Sequence, residues 1–260
     1  MSEDPVLGSI ATTGQDVGAV LRSAPDLVAK VPNLTWNVGE VGAHLVSILR
    51  AYKSAAEGGP PIGPDLRTTA SNNARLLATA TEETSAALAD ALDEAVAGFV
   101  SANAVLERDV QVPWYGETTI TARTAGGLLL GELLAHGYDL KSAVGQNPDL
   151  DTDVARLAVG AYAPVLALMV DQDKARGLTV TYEFRKAAIM PFFLVIEDGA
   201  ASTAAEPTSR GVDCRILFDP VAFVLTGRIP TWKSVLTGRV RASGRRPWLA
   251  SRLQRLLISV

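Results

Sequence analysis

The chain has two histidines, and each stands in a setting where an imidazole can do chemistry. His44 lies one helical turn after Glu40 in the segment W-N-V-G-E-V-G-A-H-L (Trp36–Leu45), with Val41 and Ile48 alongside. His136 follows Glu132 by one turn and precedes Asp139 in G-E-L-L-A-H-G-Y-D-L (Gly131–Leu140). The run Thr121–Val144 has no proline and is rich in leucine, so it reads as one helix. At about 100° per residue, Glu132, His136 and Asp139 share one narrow stripe flanked by Leu128, Leu129, Leu133 and Leu140. Polar groups buried among leucines need partners, because burying them unpaired is costly. Glu132, His136 and His44 from a facing helix supply three N/O ligands and leave a coordination position free, the donor set of a catalytic rather than a structural metal site. Spacing alone leaves a plainer alternative open: core histidines satisfied by hydrogen bonds, and a Glu–His pair of the kind common on helices that bind nothing.

The elements that must position these groups are legible from pattern. Apolar spacing predicts a first helix from about Gly8 to Lys30, ended by Val31-Pro32. Asn37 followed by Glu40 is a capping-box signature, so a second helix should start there and run to about Ala56. The Pro/Gly stretch Glu57–Asp65 is a loop, and a long alanine-rich helix should span roughly Thr68 to Leu106, with a break near Gly98. Pro113 forbids helix across Val110–Gly116, which carries Trp114 and Tyr115 to the bundle end as cosubstrate-binding walls or as packing. After Gln146–Asp149 a helix is expected over Thr152–Asp173. Then the period changes to two: Thr179–Arg185 and Asp213–Asp219 alternate, Met190–Ile196 is strand-like, and Asp198–Gly211 reads as an exposed loop or long hairpin. The expected fold is α+β in two domains, a four-helix bundle over residues 1–149 and a connecting helix with a small α+β domain over residues 150–260.

Composition narrows the function classes. A 260-residue chain with 48% hydrophobic residues can bury a sizeable core. A net charge of −4 argues against a nucleic-acid or anionic-membrane binder. The start M-S-E-D-P-V has no secretory pattern, and the longest apolar run, Val159–Val170, is too short to span a bilayer and contains Pro164, so a cytoplasmic protein, monomeric or a small homo-oligomer, is expected. The lone Cys214 excludes an internal disulfide and lies in the alternating run Val212–Phe218, so any thiol used in chemistry must come from outside the chain.

The two histidine segments carry a resemblance. W-N-V-G-E-V-G-A-H-L resembles the W-T-V-R-D-V-x-A-H-L element, and E-L-L-A-H-G-Y-D-L the E-L-x-x-H-G-W-D-L element, of the mycothiol-dependent maleylpyruvate isomerase family, within the wider DinB-like metal-binding four-helix bundles. The departures, Asn37 for Thr, Gly39 for Arg, Glu40 for Asp and Tyr138 for Trp, touch no ligand. The resemblance implies a DinB-like bundle in which His44, Glu132 and His136 bind a divalent metal, usually zinc. Asp219–Arg228 (D-P-V-A-F-V-L-T-G-R) and Trp232–Gly244 (W-K-S-V-L-T-G-R-V-R-A-S-G) are similar to sterol-carrier-protein-like domains, which follow the bundle in that family.

The implied activity is metal-assisted use of mycothiol as a thiol cosubstrate, for S-transfer to a small electrophile or thiol-assisted cis–trans isomerisation of one. Asp139 and Glu40 are expected to orient the imidazoles or serve as general base. Arginines crowd the last quarter of the chain. The bland reading is a solvated face; the sharper one has Arg228, Arg239 or Arg241 at a cleft between the domains, clamping a substrate or cosubstrate carboxylate. Two other classes compete: a carrier or regulatory protein holding an apolar ligand in its second domain, and a metal hydrolase with water as nucleophile.

Overall fold

The computed structural model describes residues 4–78, 84–186 and 189–258, and divides into two compact units between Ala161 and Tyr162. The first unit is helical. α1 (Pro5–Ser23) starts at Asp4, whose carboxylate caps the Val6 N–H. It stops at Ser23, short of the expected Lys30, because Pro25 drives Ala24 into extended backbone. α2 (Val38–Ala56) begins where the capping box predicts: the Asn37 side chain accepts the Glu40 N–H, and Glu40 accepts the Asn37 N–H, each at 2.8 Å. The expected long third helix is two helices, α3 (Thr69–Leu77) and α4 (Ser85–Ala104). The new start is at Thr84, which caps the Ala87 N–H, whereas Gly98, the expected break, lies inside α4.

After α4 the chain makes a short antiparallel hairpin, β1 (Gln111–Pro113) with β2 (Thr119–Thr121), and enters α5 (Ala122–Ala143) at the Thr121 cap. α1 and α2 each pack on both α4 and α5, which closes a four-helix bundle. α6 (Thr152–Gly160) packs on α5 as well, so it falls with the bundle and not with the sheet. Two close approaches make this possible: a Cβ on Gly42 of α2 would meet Leu88 at 2.6 Å, and one on Gly127 of α5 would meet the Ala161 Cβ at 2.3 Å.

The helix expected over Thr152–Asp173 is broken. Pro164 cannot donate to Gly160, so a new short helix, α7 (Tyr162–Val165), holds it in its first turn, and α8 (Gln172–Ala175) starts afresh at the Asp171 cap. The second unit is then a five-stranded sheet of β3 (Val180–Lys186), β4 (Ile189–Glu197), β5 (Ala200–Ala204), β6 (Cys214–Phe218) and β7 (Val240–Ser243), in the order β5-β4-β3-β6-β7. β3 and β6 run parallel and the other pairs antiparallel. Asp198 and Gly199, both at positive φ, form the two-residue turn joining β4 to β5, so the expected exposed segment is a true hairpin in its first half. α9 (Pro220–Val224), α10 (Thr231–Leu236) and α11 (Ala250–Leu256) complete the unit. One sheet face buries Val180, Tyr182, Phe184, Leu194, Ile196, Cys214, Ile216 and Phe218. The fold is therefore α+β, a helical N-terminal unit followed by a sheet-containing C-terminal unit, as the residue pattern predicts.

The glycine contacts yield a pair of opposite expectations. Gly127→Ala gains helix propensity but drives a methyl into Ala161, which cannot rotate away, and should cost about 1–2 kcal/mol net. Gly8→Ala, with open space around its Cβ position, should stabilise by about 0.5–1 kcal/mol. Urea unfolding of both variants checks the signs; equal effects would mean that α6 does not press on α5.

Candidate metal centre

The capping box fixes where α2 starts, and so fixes which residues of its second turn face α5. His44 is one of them and is 4% exposed. α5 brings Glu132 and His136 on successive turns, His136 being 6% exposed and the Glu132 side chain about a third open at 35%. The Glu132 Oε2 lies 3.5 Å from the His44 Nε2 and 3.4 Å from the His136 Nε2. One ligand atom from each of the three residues fits within a mutual span of 4.8 Å.

Those two separations are long for a charge-assisted hydrogen bond, which prefers about 2.7–2.9 Å. They suit a shared cation: N and O atoms about 2.0–2.1 Å from a tetrahedral zinc stand about 3.3–3.4 Å apart. The donor set of two imidazoles and one carboxylate also matches a divalent ion with a position left for another ligand. By donor chemistry and by the two Glu–His separations the cluster is compatible with a divalent metal.

The surrounding groups prepare the ligands. The Asp139 carboxylate, 2% exposed, lies 3.0 Å from the His136 Nδ1. A carboxylate only accepts, so Nδ1 carries the proton and the lone pair of Nε2 points at the cluster. Asp139 thus acts on the far ring nitrogen, away from the ligand atoms. Burial pushes the Glu132 carboxyl up, but the positive charge that His136 and His44 carry when both their ring nitrogens are protonated outweighs it and holds the group well below the usual carboxylate range. Glu40 is not in the cluster; its carboxylate is engaged in the α2 capping box.

Trp36 is a residue whose role the sequence reading left unassigned. Its ring centroid lies 5.0 Å from that of His44 and 6.1 Å from that of His136, so it covers both imidazoles. The signal was present, since Trp36 opens the same motif that carries His44, but Trp36 precedes the α2 cap, where helical spacing no longer says which side chains meet.

Trp114 and Tyr115 come from the β1–β2 hairpin. The Trp114 indole donates to the Tyr52 hydroxyl at 3.0 Å, which ties the hairpin to α2 two turns beyond His44. Tyr115 packs edge-on against Trp114 and leaves no room for a side chain at Gly63. Its phenol is pushed above the ordinary value chiefly by burial, with the nearby Glu132 charge adding and a hydrogen bond to Thr69 opposing. Arg228, Arg239 and Arg241 belong to the second unit: Arg228 follows α9, Arg239 follows α10, and Arg241 is on β7. Cys214 is fully buried on β6, and burial raises its thiol pKa, which leaves it a poor nucleophile.

Two predictions follow from this geometry. Cobalt(II) or nickel(II), added to the protein, should quench tryptophan emission with an end point of one ion per chain, and Trp36→Phe should remove most of the quench while Asp139→Asn weakens affinity roughly 10–100-fold. Because Glu132 stays ionised far into the acid range, the imidazoles set the pH at which metal leaves. Affinity should fall as pH drops into the range where imidazoles take up a proton, with protons released on metal uptake there. Uptake without proton release, measured by calorimetry in buffers of different ionisation heat, would rule out imidazole ligation.

Residues 7–141 match the family model of the mycothiol maleylpyruvate isomerase N-terminal domain. Among solved structures, a histidine-to-alanine variant of the mycothiol-dependent maleylpyruvate isomerase is similar at 12% identity and TM-score 0.53, over 92% of this chain and 91% of that one. A second structure of the mycothiol-dependent maleylpyruvate isomerase gives 14% identity and TM-score 0.48, over 86% and 89%. The inverting sec-alkylsulfatase from Pseudomonas sp. is similar over 53% of this chain at 15% identity and TM-score 0.34. This chain spans only about a quarter of the length of such alkylsulfatases. No curated protein matches the chain. The matched segment takes in just over half of the 260 residues and all of His44, Glu132 and His136, so the chain belongs to the family of the mycothiol maleylpyruvate isomerase N-terminal domain.

Proposed function

We propose that the protein is a metal-dependent enzyme that uses mycothiol as a thiol cosubstrate, either to isomerise a small cis-configured electrophile or to transfer the thiol to one. The observation that carries the reading is the spacing of His44, Glu132 and His136, which suits a shared divalent cation better than a hydrogen-bonded triad. Family membership supports the thiol and the isomerase chemistry.

A bound divalent cation supplies Lewis acidity, which lowers the pKa of a thiol brought to it. The residues of the chain do the rest. Asp139 fixes the His136 ring and its tautomer. Trp36 keeps water off one side of the imidazole pair. Glu132, the most open of the three, borders the approach used by substrates. Trp114 and Tyr115 are proposed as walls for the cosubstrate. Isomerisation needs only addition of the thiolate to a conjugated carbonyl, rotation about the resulting single bond, and expulsion of the same thiolate, with no net change of atoms. Transfer needs instead a leaving group or an epoxide on the electrophile. In both, a deprotonated thiol from outside the chain is the nucleophile, consistent with the inert position of Cys214. Arg228 is proposed to meet a substrate carboxylate.

The zinc-loaded protein should convert a cis-enone such as maleylpyruvate, or conjugate chlorodinitrobenzene, only when mycothiol is present. His44→Ala and His136→Ala should each lower kcat/KM by more than the roughly 10–100-fold of a lost supporting hydrogen bond, while circular dichroism stays native because the bundle core carries the fold. Arg228→Lys should raise KM with metal content unchanged. Turnover that is equal with and without mycothiol would make water the nucleophile and the protein a hydrolase.

A further inference from the structure

Charge is distributed unevenly along this chain. Between Cys214 and Ile258 nine basic residues stand against one acidic residue, Asp219, in a chain of net −4; Arg215 is met by Glu183, and Arg245 and Arg246 by Asp213, from outside that stretch, which leaves a smaller basic excess there. The overall charge that speaks against anionic surfaces thus hides a local basic excess.

Within the basic region lies an apolar face with no cover. In α10, Trp232, Val235 and Leu236 are 61%, 53% and 77% exposed, whereas Ser234 is 5% exposed. Their i, i+3, i+4 spacing puts all three on one side of the helix. Cations bracket that side. The Lys233 ammonium stands 5.8 Å from the Trp232 ring centroid. At the other end the chain turns at Gly238, φ +71°, and the Arg241 guanidinium folds back over it, its Nη2 3.0 Å from where a Cβ would stand. Arg239, also exposed, follows Gly238 directly in the chain. None of these three cations pairs with a carboxylate among the described residues.

We propose that this face docks on an anionic membrane surface, with Trp232, Val235 and Leu236 entering the headgroup region and Lys233, Arg239 and Arg241 meeting lipid phosphates. Neither signal suffices alone. Three side chains bury too little for stable partition, and three cations at a surface are each worth only about 1 kcal/mol, but together they form the two-part signal of peripheral attachment. A nucleic acid would engage the cations yet gain nothing from Val235 and Leu236. An apolar protein groove would take the side chains yet be indifferent to the cations. Among the described residues no helix is long and apolar enough to cross a membrane. The assignment gives Arg239 and Arg241 a surface role in place of cosubstrate binding, and it is independent of the metal centre.

The test is co-sedimentation of the full chain with vesicles of phosphatidylcholine alone and of phosphatidylcholine with phosphatidylglycerol in equal parts. Binding is expected to the mixed vesicles only and to weaken with salt. Trp232→Ser/Leu236→Ser together should lower the partition coefficient about tenfold or more, and Lys233→Glu, a change of two charges, by roughly thirtyfold at low salt. Val105→Ser, which removes an 83% exposed apolar side chain at the end of α4, should change nothing. Native circular dichroism and unchanged metal content would show that the double variant is folded. Failure to bind mixed vesicles would overturn the proposal, as would binding that the double variant leaves intact. So would tighter binding to a DNA duplex, or loss in the double variant of a dimer seen by sedimentation without vesicles.

Discussion

Glu132 lies between two buried imidazoles at 3.4 and 3.5 Å, and the first unit is arranged so that this contact can exist. The groups come from two helices with no sequence proximity, so α2 and α5 must meet in one register. The capping box at Asn37 and Glu40 sets where α2 begins, and the Thr121 cap sets where α5 begins. The Trp114–Tyr52 hydrogen bond ties the strands that precede α5 to the far end of α2. Left without a cation, two imidazoles and a carboxylate this close compete for few protons in a largely apolar surrounding, which is costly. A divalent ion would resolve the competition, since both nitrogens could donate lone pairs to it and the carboxylate is already ionised.

Support for the ligands runs outward in layers. Asp139 holds the His136 proton on the far nitrogen, Trp36 lies over both rings, and Leu129, Leu133 and Leu140, all fully buried, fix α5 among its neighbours. Removal of Asp139 would leave the ligand atoms in place and free the ring to turn. That is why such groups tune affinity by factors and do not decide whether a site exists. Cys214 belongs to another part of the chain and another task, packing the sheet of the second unit.

Much of this was legible in the sequence, and the failures have physical causes. The α2 start was readable because a capping box is a local hydrogen-bond pattern with fixed spacing. The triad was readable because rare residue types recur one turn apart among leucines. The end of α1 was misjudged because apolar residues continue past Pro25 and periodicity outweighed one backbone constraint. The break before α4 was misplaced because glycine at 98 is an obvious suspect, whereas α3 already ends at Leu77 and α4 starts at the Thr84 cap. α5 itself has little amphipathic contrast, since α1, α2 and α6 cover it from several sides, so its buried stripe could be named only from the polar residues on it. The Trp36 contact depends on a turn between Val31 and Asn37 that no periodicity encodes.

The central claim is that His44, Glu132 and His136 are ligands of one ion. Anomalous diffraction collected on either side of the zinc edge from zinc-loaded crystals tests it most directly. The account predicts a single peak per chain, about 2.0–2.2 Å from the Nε2 atoms of His44 and His136 and from a carboxylate oxygen of Glu132, with Asp139 outside the coordination sphere. A fully loaded protein whose ion lies elsewhere, or whose ion is ligated by Asp139 in place of Glu132, would contradict it.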